Sequence, residues 1–347
     1  MRNSINVLKL QDTKDKYQRF IKTNESLLYS SVEYLDLISN FLKEECKLLC
    51  VFDSNEEILG AIPFFEKEGA YGKVLNSLPF YGSNGGYIAT DSIIKEQLLT
   101  AFENYVHSND IVSATIINNP LVDVKGYELT NNYIDKRIGQ FTFFDEIDKS
   151  NLDESLFSRF HSKTRNMVRK ALKSNMKVIL DNNQLDYIFD IHKENMNTIG
   201  GIFKPHSFFK QIESTLCQGR DYNVFIASLD GRPIAGLLLL YHKKSVEYFT
   251  PVIDVNYRSY QPMSLLIFES MKVAIKEGYE YWNWGGTWES QENVYRFKSR
   301  WGAIDKPYYY YTFLRDQNML QLSKQDLLNE YPYFFVLPFK ELKNERF

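Results

Sequence analysis

The chain has 347 residues, 44% hydrophobic and 24% charged, with a formal net charge of −3. That balance belongs to a folded protein rather than a disordered one, and at roughly 100–200 residues per domain it predicts two domains. It excludes a globally basic nucleic-acid coat, so DNA is not an expected partner, but it leaves room for a local basic patch.

Cys46, Cys50 and Cys217 lack the paired spacing of a disulfide framework or a zinc site, and no metal is expected. The opening "MRNSINVLKLQDTKDKYQRF" has no apolar signal-peptide core, and no run approaches the ~18 apolar residues that span a bilayer. These features point to a reduced, cytoplasmic protein.

Along the chain, "KLLCVFDSNEEILGAIPFFEKEG" reads as strand, turn, strand. In "SIIKEQLLTAFENYVHSND", Ile93, Ile94, Leu98, Leu99, Phe102 and Val106 follow helical spacing, and the strand "IVSATIINN" comes next. In "SLFSRFHSKTRNMVRKALKSNMKVIL", Phe157, Phe160, Val168 and Leu172 predict one amphipathic helix. It ends near Ser174-Asn175, before the strand "MKVIL". Lys163, Arg165, Arg169, Lys170, Lys173 and Lys177 form a basic cluster there with no carboxylate among them. Such a run reads as a solvated helix face or as an anion site, because it lacks the i,i+4 pairing of ordinary surface helices.

The second half repeats the order of the first. "YNVFIASLDGRPIAGLLLLYHKKSVEYFTPVI" is two or three strands with a tight turn at Asp230-Gly231. "MSLLIFESMKVAIKEGY" is a helix ending near Gly278, and "YEYWNWGG" is the next strand. In both halves a short acidic turn leads into an "ILGA" or "PIAG" strand, around Gly60 and Gly236. The expected fold is α/β (α+β) in two similar domains, 1–150 and 151–347, the second opening with the basic helix.

Residues 279–303, "YEYWNWGGTWESQENVYRFKSRWGA", hold all four tryptophans, two adjacent glycines and a Phe-Lys pair. Trp282 and Trp284 alternate along a strand, which places them on one core-facing side. Trp288, beside Glu289, is harder to explain by packing and could stack on a sugar or a base. Lys298, set beside Phe297 and Trp301, reads as a partly exposed lysine snorkelling over aromatics, or as a fixed cation for an oxyanion. Glu289, Glu292, His206 and Asp254 are candidate general bases, and no spacing singles one out. No Ser-His-Asp order, HExxH, paired CxxC or Walker loop is present, which leaves hydrolase, zinc-enzyme and NTPase readings without support.

Three strings, in order along a duplicated plan, resemble the FemAB-like branch of the GNAT superfamily. They are "ILGAIPFFEKEGAYGKVLNSLPFYGSNGG", "SKTRNMVRKALKSNMKV" and "NWGGTWESQENVYRFKSRWGA". The resemblance covers most of the chain. It implies two tandem GNAT-like domains, each a mixed, mostly antiparallel sheet flanked by helices. It also implies N-acyl or aminoacyl transfer to an amine in cell-envelope polysaccharide or peptidoglycan precursor synthesis. The implied donor is acyl-CoA or another activated acyl group. Aminoacyl-tRNA, serving a peptide-bridge transferase, is the alternative, weakened by the lack of a long heptad segment. The implied acceptor is a nucleotide- or lipid-linked amino sugar, and a lipid-linked one accords with peripheral membrane association. A catalytically silent carbohydrate- or nucleotide-binding module of the same fold is the rival from another class.

Residue by residue, the resemblance makes Lys298 the catalytic cation, with Glu289 beside it. It places the acceptor against Lys163, Arg165, Arg169, Tyr81, Gly82, Trp288 and Phe297. It assigns the donor to Arg258, Gln261, Met263 and Ser264, on a loop of pattern [RQ]-x-x-G-x-[GA]. That loop's glycines are missing here, and Pro262 removes one N–H donor.

Overall fold

A computed structural model describes residues 3–80, 84–122 and 133–343. The chain divides into two compact units, Met1–Arg137 with Pro307–Phe347, and Ile138–Lys306.

The first unit begins with β1 (Ser4–Lys9), α1 (Leu10–Thr23) and α2 (Val32–Leu42). An antiparallel meander follows: β2 (Lys47–Phe52), β3 (Ile58–Gly69) and β4 (Gly72–Asn76). A short β5 (Ile88–Ala89) on β3 precedes α3 (Ser92–Ser108), capped by Asp91, whose side chain accepts from the N–H groups of Ile93 and Ile94 at 2.9 Å. Helix α3 is the crossover that lets β6 (Ile111–Ile117) lie parallel to β4.

Strand β7 (Tyr133–Phe143) leads into the second unit, followed by α4 (Leu152–Arg159) and α5 (Ser162–Leu172). There the plan recurs: β8 (Lys177–Leu180), α6 (Leu185–Thr198), α7 (His206–Thr215), then the meander β9 (Tyr222–Leu229), β10 (Arg232–His242) and β11 (Ser245–Ile253). Helix α8 (Pro262–Glu277) crosses over to β12 (Tyr281–Thr287), parallel to β11, and α9 (Glu292–Ser299) follows. Pro262 stands in the first turn of α8, and Gly278 closes it at φ +92°, the left-handed conformation that suits glycine. Strand β10, "RPIAGLLLLYH", is apolar and buried on both faces, which explains its unbroken leucine run.

The two units share one order of elements, β-α-α-β-β-β-α-β, and one detail that sequence patterning only hints at. Each meander hairpin has a β-bulge just after its turn, next to the glycine noticed in the sequence. At Gly60 a side chain would meet Ile94 and Leu98 of α3 at 2.5 and 2.7 Å, and at Gly236 it would meet Ile188 of α6 at 2.5 Å. Both glycines are places where a helix lies directly on the strand.

Two expectations change. The chain does not stay in the second unit to residue 347. Strand β13 (Ile304–Leu314) pairs antiparallel with β6, and α10 (Lys324–Glu330) follows it in the first unit. Long-range hydrogen bonds hold this returning segment. Tyr331 Oη donates to the Gly72 carbonyl at 2.8 Å, and the Asn76 side chain bonds both backbone groups of Phe335. The single amphipathic helix expected from Phe157 to Leu172 is two helices, broken at Phe160-His161. Arg165 causes the break to hold. Its guanidinium donates to the carbonyls of Phe160 (2.8 Å) and Phe157 (3.4 Å) at the end of α4, while His161 Nδ1 accepts the Lys163 N–H and starts α5.

Gly60→Ala is expected to destabilise the first unit by about 1–3 kcal/mol, the scale of overpacking a filled core. Denaturant unfolding of the variant measures this, and an unchanged midpoint would mean that α3 moves aside freely.

Candidate active site

Packing accounts for three of the four tryptophans in residues 279–303. Trp282 and Trp284 of β12 both point into the core of the second unit, with Trp301 and Phe160 completing the stack. Trp284 Nε1 donates to Thr142 Oγ1 at 2.9 Å, and that hydroxyl donates on to the Trp301 carbonyl at 3.2 Å. Phe297 is partly buried and meets Trp284 edge-on, with ring centroids 6.1 Å apart. Trp288 alone of the four tryptophans remains exposed, at 48%.

Strand β12 pairs in parallel with β11 over three residues only, Ser245↔Tyr281, Val246↔Trp282 and Glu247↔Asn283. Beyond them β11 runs on beside β10, while β12 runs on beside β7, so the parallel ladder opens at Glu247 and Asn283. Just past that point β12 bulges. Its pairing with β7 shifts between Asn283 and Gly286, Gly285 takes φ +72°, and Asn283 Oδ1 accepts the Gly285 N–H at 2.8 Å. A side chain at Gly285 would touch nothing within 4 Å, so its glycine is required by backbone conformation, not by space.

Lys298 closes this bulge. It lies on α9 at 6% exposure, and its Nζ donates to Thr287 Oγ1 (2.8 Å), the Gly286 carbonyl (3.0 Å) and the Gly285 carbonyl (3.4 Å). The glycine pair and the Phe-Lys pair, twelve residues apart in sequence, are therefore one structural device. This corrects the expectation of a partly exposed, snorkelling lysine, because its head group is the buried part. Burial pulls the amine down to about 7. The three oxygens act in the opposite direction, since only the ammonium has three protons to give them.

Sequence reasoning passed over Glu247. It is a carboxylate at 1% exposure, at the point where β11 and β12 part, opposite Asn283. Asn283 Nδ2, opposite Glu247, is buried with no hydrogen-bond partner among the described residues, as is Thr250 Oγ1 three residues farther along β11. A strand glutamate in "SVEYF" looks solvent-facing from pattern alone, which is why it went unnoticed.

The other base candidates are tied up or peripheral. Glu292 pairs with Arg296 on α9, His206 with Asp186 at 2.9 Å, and Asp254 caps the turn Val255–Tyr260 while pairing with Arg232 at 3.7 Å. Glu289 is exposed in the turn after β12.

The donor loop keeps its backbone conformation without its glycine. Gln261 adopts the left-handed φ +63°, ψ +41°, at the pattern's glycine position, a conformation that costs a side-chain-bearing residue roughly 1–2 kcal/mol. Its side chain folds back, Nε2 donating to the Arg258 carbonyl at 3.1 Å. Arg258 is exposed, Met263 half-buried and Ser264 buried. The Ser264 N–H is already engaged by the Gln261 carbonyl at 3.1 Å, so α8 offers fewer free donors than an unblocked helix start.

Of the acceptor residues, Lys163 and Arg169 are exposed on α5, and Arg169 lies over the Phe157 ring, 5.2 Å from its centroid. Arg165 is spent on the α4 carbonyls described above. Tyr81 and Gly82 lie outside the described residues.

Residues 158–299 match the acetyltransferase (GNAT) domain family. No curated protein sequence matches the chain. Among solved structures it is similar to FemX, at 15% identity over 92% of this chain and 99% of that one, with a TM-score of 0.68. It is similar to the C-terminal domain of a putative lysylphosphatidylglycerol synthetase from Agrobacterium fabrum, at 12% identity over 94% and 98% of the chains, TM-score 0.56. A tandem GNAT protein from the clavulanic acid biosynthesis pathway gives 10% identity over 91% and 99%, TM-score 0.53. At such identities the structural likeness is one of fold, and it extends over both units. Residues 158–299 are thus a domain of the acetyltransferase (GNAT) family, and the chain as a whole has the fold of FemX and of a tandem GNAT protein.

Proposed function

We propose that the chain is an N-acyltransferase that moves an acyl group from an activated donor to the amine of a cell-envelope precursor. The observation that carries this reading is the GNAT match over residues 158–299, coinciding with a parallel ladder that opens beside a buried carboxylate and a lysine-pinned bulge. In the reaction the acceptor nitrogen attacks the donor carbonyl. A C–N bond forms, the C–S or C–O bond to the carrier breaks, and one proton leaves the nitrogen.

Two side chains are assigned roles. Glu247 takes the proton, being the buried carboxylate at the opening of the ladder. Lys298 is a positioning residue. Its ammonium holds the carbonyls of Gly285 and Gly286, and in a trans peptide this fixes the direction of the N–H groups of Gly286 and Thr287 as well. Oriented dipoles at the strand end stabilise a developing oxyanion without reorganising during the reaction.

An aminoacyl donor is the second reading. The departure at Gln261-Pro262 from the usual pyrophosphate loop favours it, since that departure removes donors a CoA diphosphate would use. The deciding experiment offers the protein acyl-CoA thioesters in one arm and charged tRNA in the other, with amino-sugar nucleotides and peptidoglycan precursors as acceptors. Amide formation with thiol release supports the first reading, and amide formation from charged tRNA alone supports the second. Acceptor binding without transfer from any donor would leave a silent binding module.

Lys298→Met is expected to cost about 1–3 kcal/mol of stability, because it strands Thr287 Oγ1 and two carbonyls without their buried donor. It should also lower kcat about 100-fold or more, the scale of losing an oriented oxyanion donor, with KM less affected. A variant as stable and as active as the wild type would reject the role.

The stability difference should depend on pH with a definite sign. The amine titrates near 7 in the folded protein but at the ordinary lysine value of 10.5 when unfolded. Between those values the unfolded chain holds the extra proton, so wild-type stability rises with pH relative to Lys298→Met. Paired denaturant melts at neutral and alkaline pH measure this, and a pH-independent difference would contradict it.

Glu247→Gln should reduce turnover by about 100- to 10,000-fold and abolish the acidic limb of the pH–rate profile. Retention of that limb in the variant would move the base elsewhere.

A further inference from the structure

A second feature of the GNAT-bearing unit lies on its outer edge. Strand β8 ends the sheet and pairs only with β9 among the described residues. Between β8, the end of α5 and the flank of α8 runs a groove of about 340 Å³. Its lining includes the apolar side chains Met176, Val178, Phe225, Leu265 and Val273. Three residues at its mouth are half in solvent: Leu172 at 47%, Ile179 at 50% and Leu180 at 49%. Exposed aliphatics on a free strand edge are normally avoided, because they invite association.

The segment beside this groove is rich in cations. Lys163, Arg165, Arg169, Lys170, Lys173 and Lys177 fall between Phe160 and Leu180, and no carboxylate interrupts them. Lys173 directly follows Leu172, and Lys177 directly precedes Val178. Glu269, the acidic residue on the groove wall, pairs with Lys272 at 2.9 Å, and Lys272 also reaches Asp153 at 3.2 Å.

We propose that the α5–β8 edge is a docking face for an anionic phospholipid bilayer, with lipid chains meeting Leu172, Ile179 and Leu180 and headgroup phosphates meeting Lys170, Lys173 and Lys177. The combination of surfaces decides among occupants. A nucleic acid or sugar nucleotide would satisfy the cations but has no aliphatic surface for the groove. A second copy of this chain would cover the aliphatics only by bringing the lysines against themselves, a like-charge juxtaposition that interfaces avoid. Anionic lipid supplies both the phosphate and the hydrocarbon.

The test uses the full chain and needs no enzymatic assay, so it stands or falls separately from the acyltransferase reading. Protein is sedimented with vesicles of phosphatidylcholine alone and of phosphatidylcholine with phosphatidylglycerol. Binding is expected only to the second, and it should weaken as salt is raised. Lys173→Gln and Lys177→Gln should each weaken it about five-fold, the worth of one lysine near an anionic surface. Leu172→Asp and Leu180→Asp should abolish it without lowering the melting temperature. Three results would overturn the proposal. They are no binding to anionic vesicles, binding undiminished by both aspartate variants, and an apolar edge buried instead in a dimer that Leu180→Asp dissociates.

Discussion

A single ammonium group, Lys298 Nζ, decides the shape of the strand end on which the proposed chemistry depends. Three oxygens surround it, from Thr287, Gly286 and Gly285, and almost no water reaches it. Burying a charge is costly unless it is hydrogen-bonded, so the bulge and the lysine require each other. Without the ammonium, Thr287 Oγ1 and two carbonyls of the bulge would lose their donor. Without the bulge, the ammonium would have no partners. The rings of Trp284, Phe297 and Trp301, neighbours of this device in sequence, pack against one another. Within residues 279–303 the glycines and the lysine thus form one polar contact, while Trp282, Trp284 and Trp301 pack the core.

The duplicated plan explains where such a contact can form. In each unit a helix crossover sets one strand parallel to the last strand of an antiparallel meander. In the first unit the parallel pairing β4–β6 extends from Lys73↔Ile111 to Asn76↔Thr115. In the second it stops after three pairs, at Glu247↔Asn283. An opened ladder leaves backbone and side-chain polar groups to be used by something other than the sheet, which is where open α/β sheets place ligands. The same plan thus ends its parallel ladder after four pairs in one unit and after three, at a buried carboxylate, in the other.

Much of this was legible in the sequence, for reasons that are local. The hairpin turns, the helices α3 and α8, and the alternation of Trp282 with Trp284 all follow from spacing and turn residues within a few positions. The parts that were not legible are long-range. Nothing in "YRFKSRW" marks Lys298 as buried, because its acceptors lie 11 to 13 residues upstream, across the turn between β12 and α9. The break at Phe160-His161 has no proline or glycine to announce it, since a guanidinium from the next helix makes it. Strand β13 could not be assigned to the first unit from pattern, because strand partners are chosen by edges hundreds of residues away. The backbone of the donor loop was not legible either. Its glycine is absent, yet Gln261 holds the left-handed turn that the glycine would have supplied.

The central claim is that a titratable ammonium organises the Gly285–Thr287 strand end. NMR of the lysine side-chain amines, with backbone amides followed in the same titration, tests it most directly. One lysine signal, assigned through Lys298→Met, should titrate near 7 while ordinary lysines titrate near 10.5. The amide signals of Gly285, Gly286 and Thr287 should move with the same midpoint. A Lys298 signal that titrates with the surface lysines, or glycine amides indifferent to its protonation, would contradict the account.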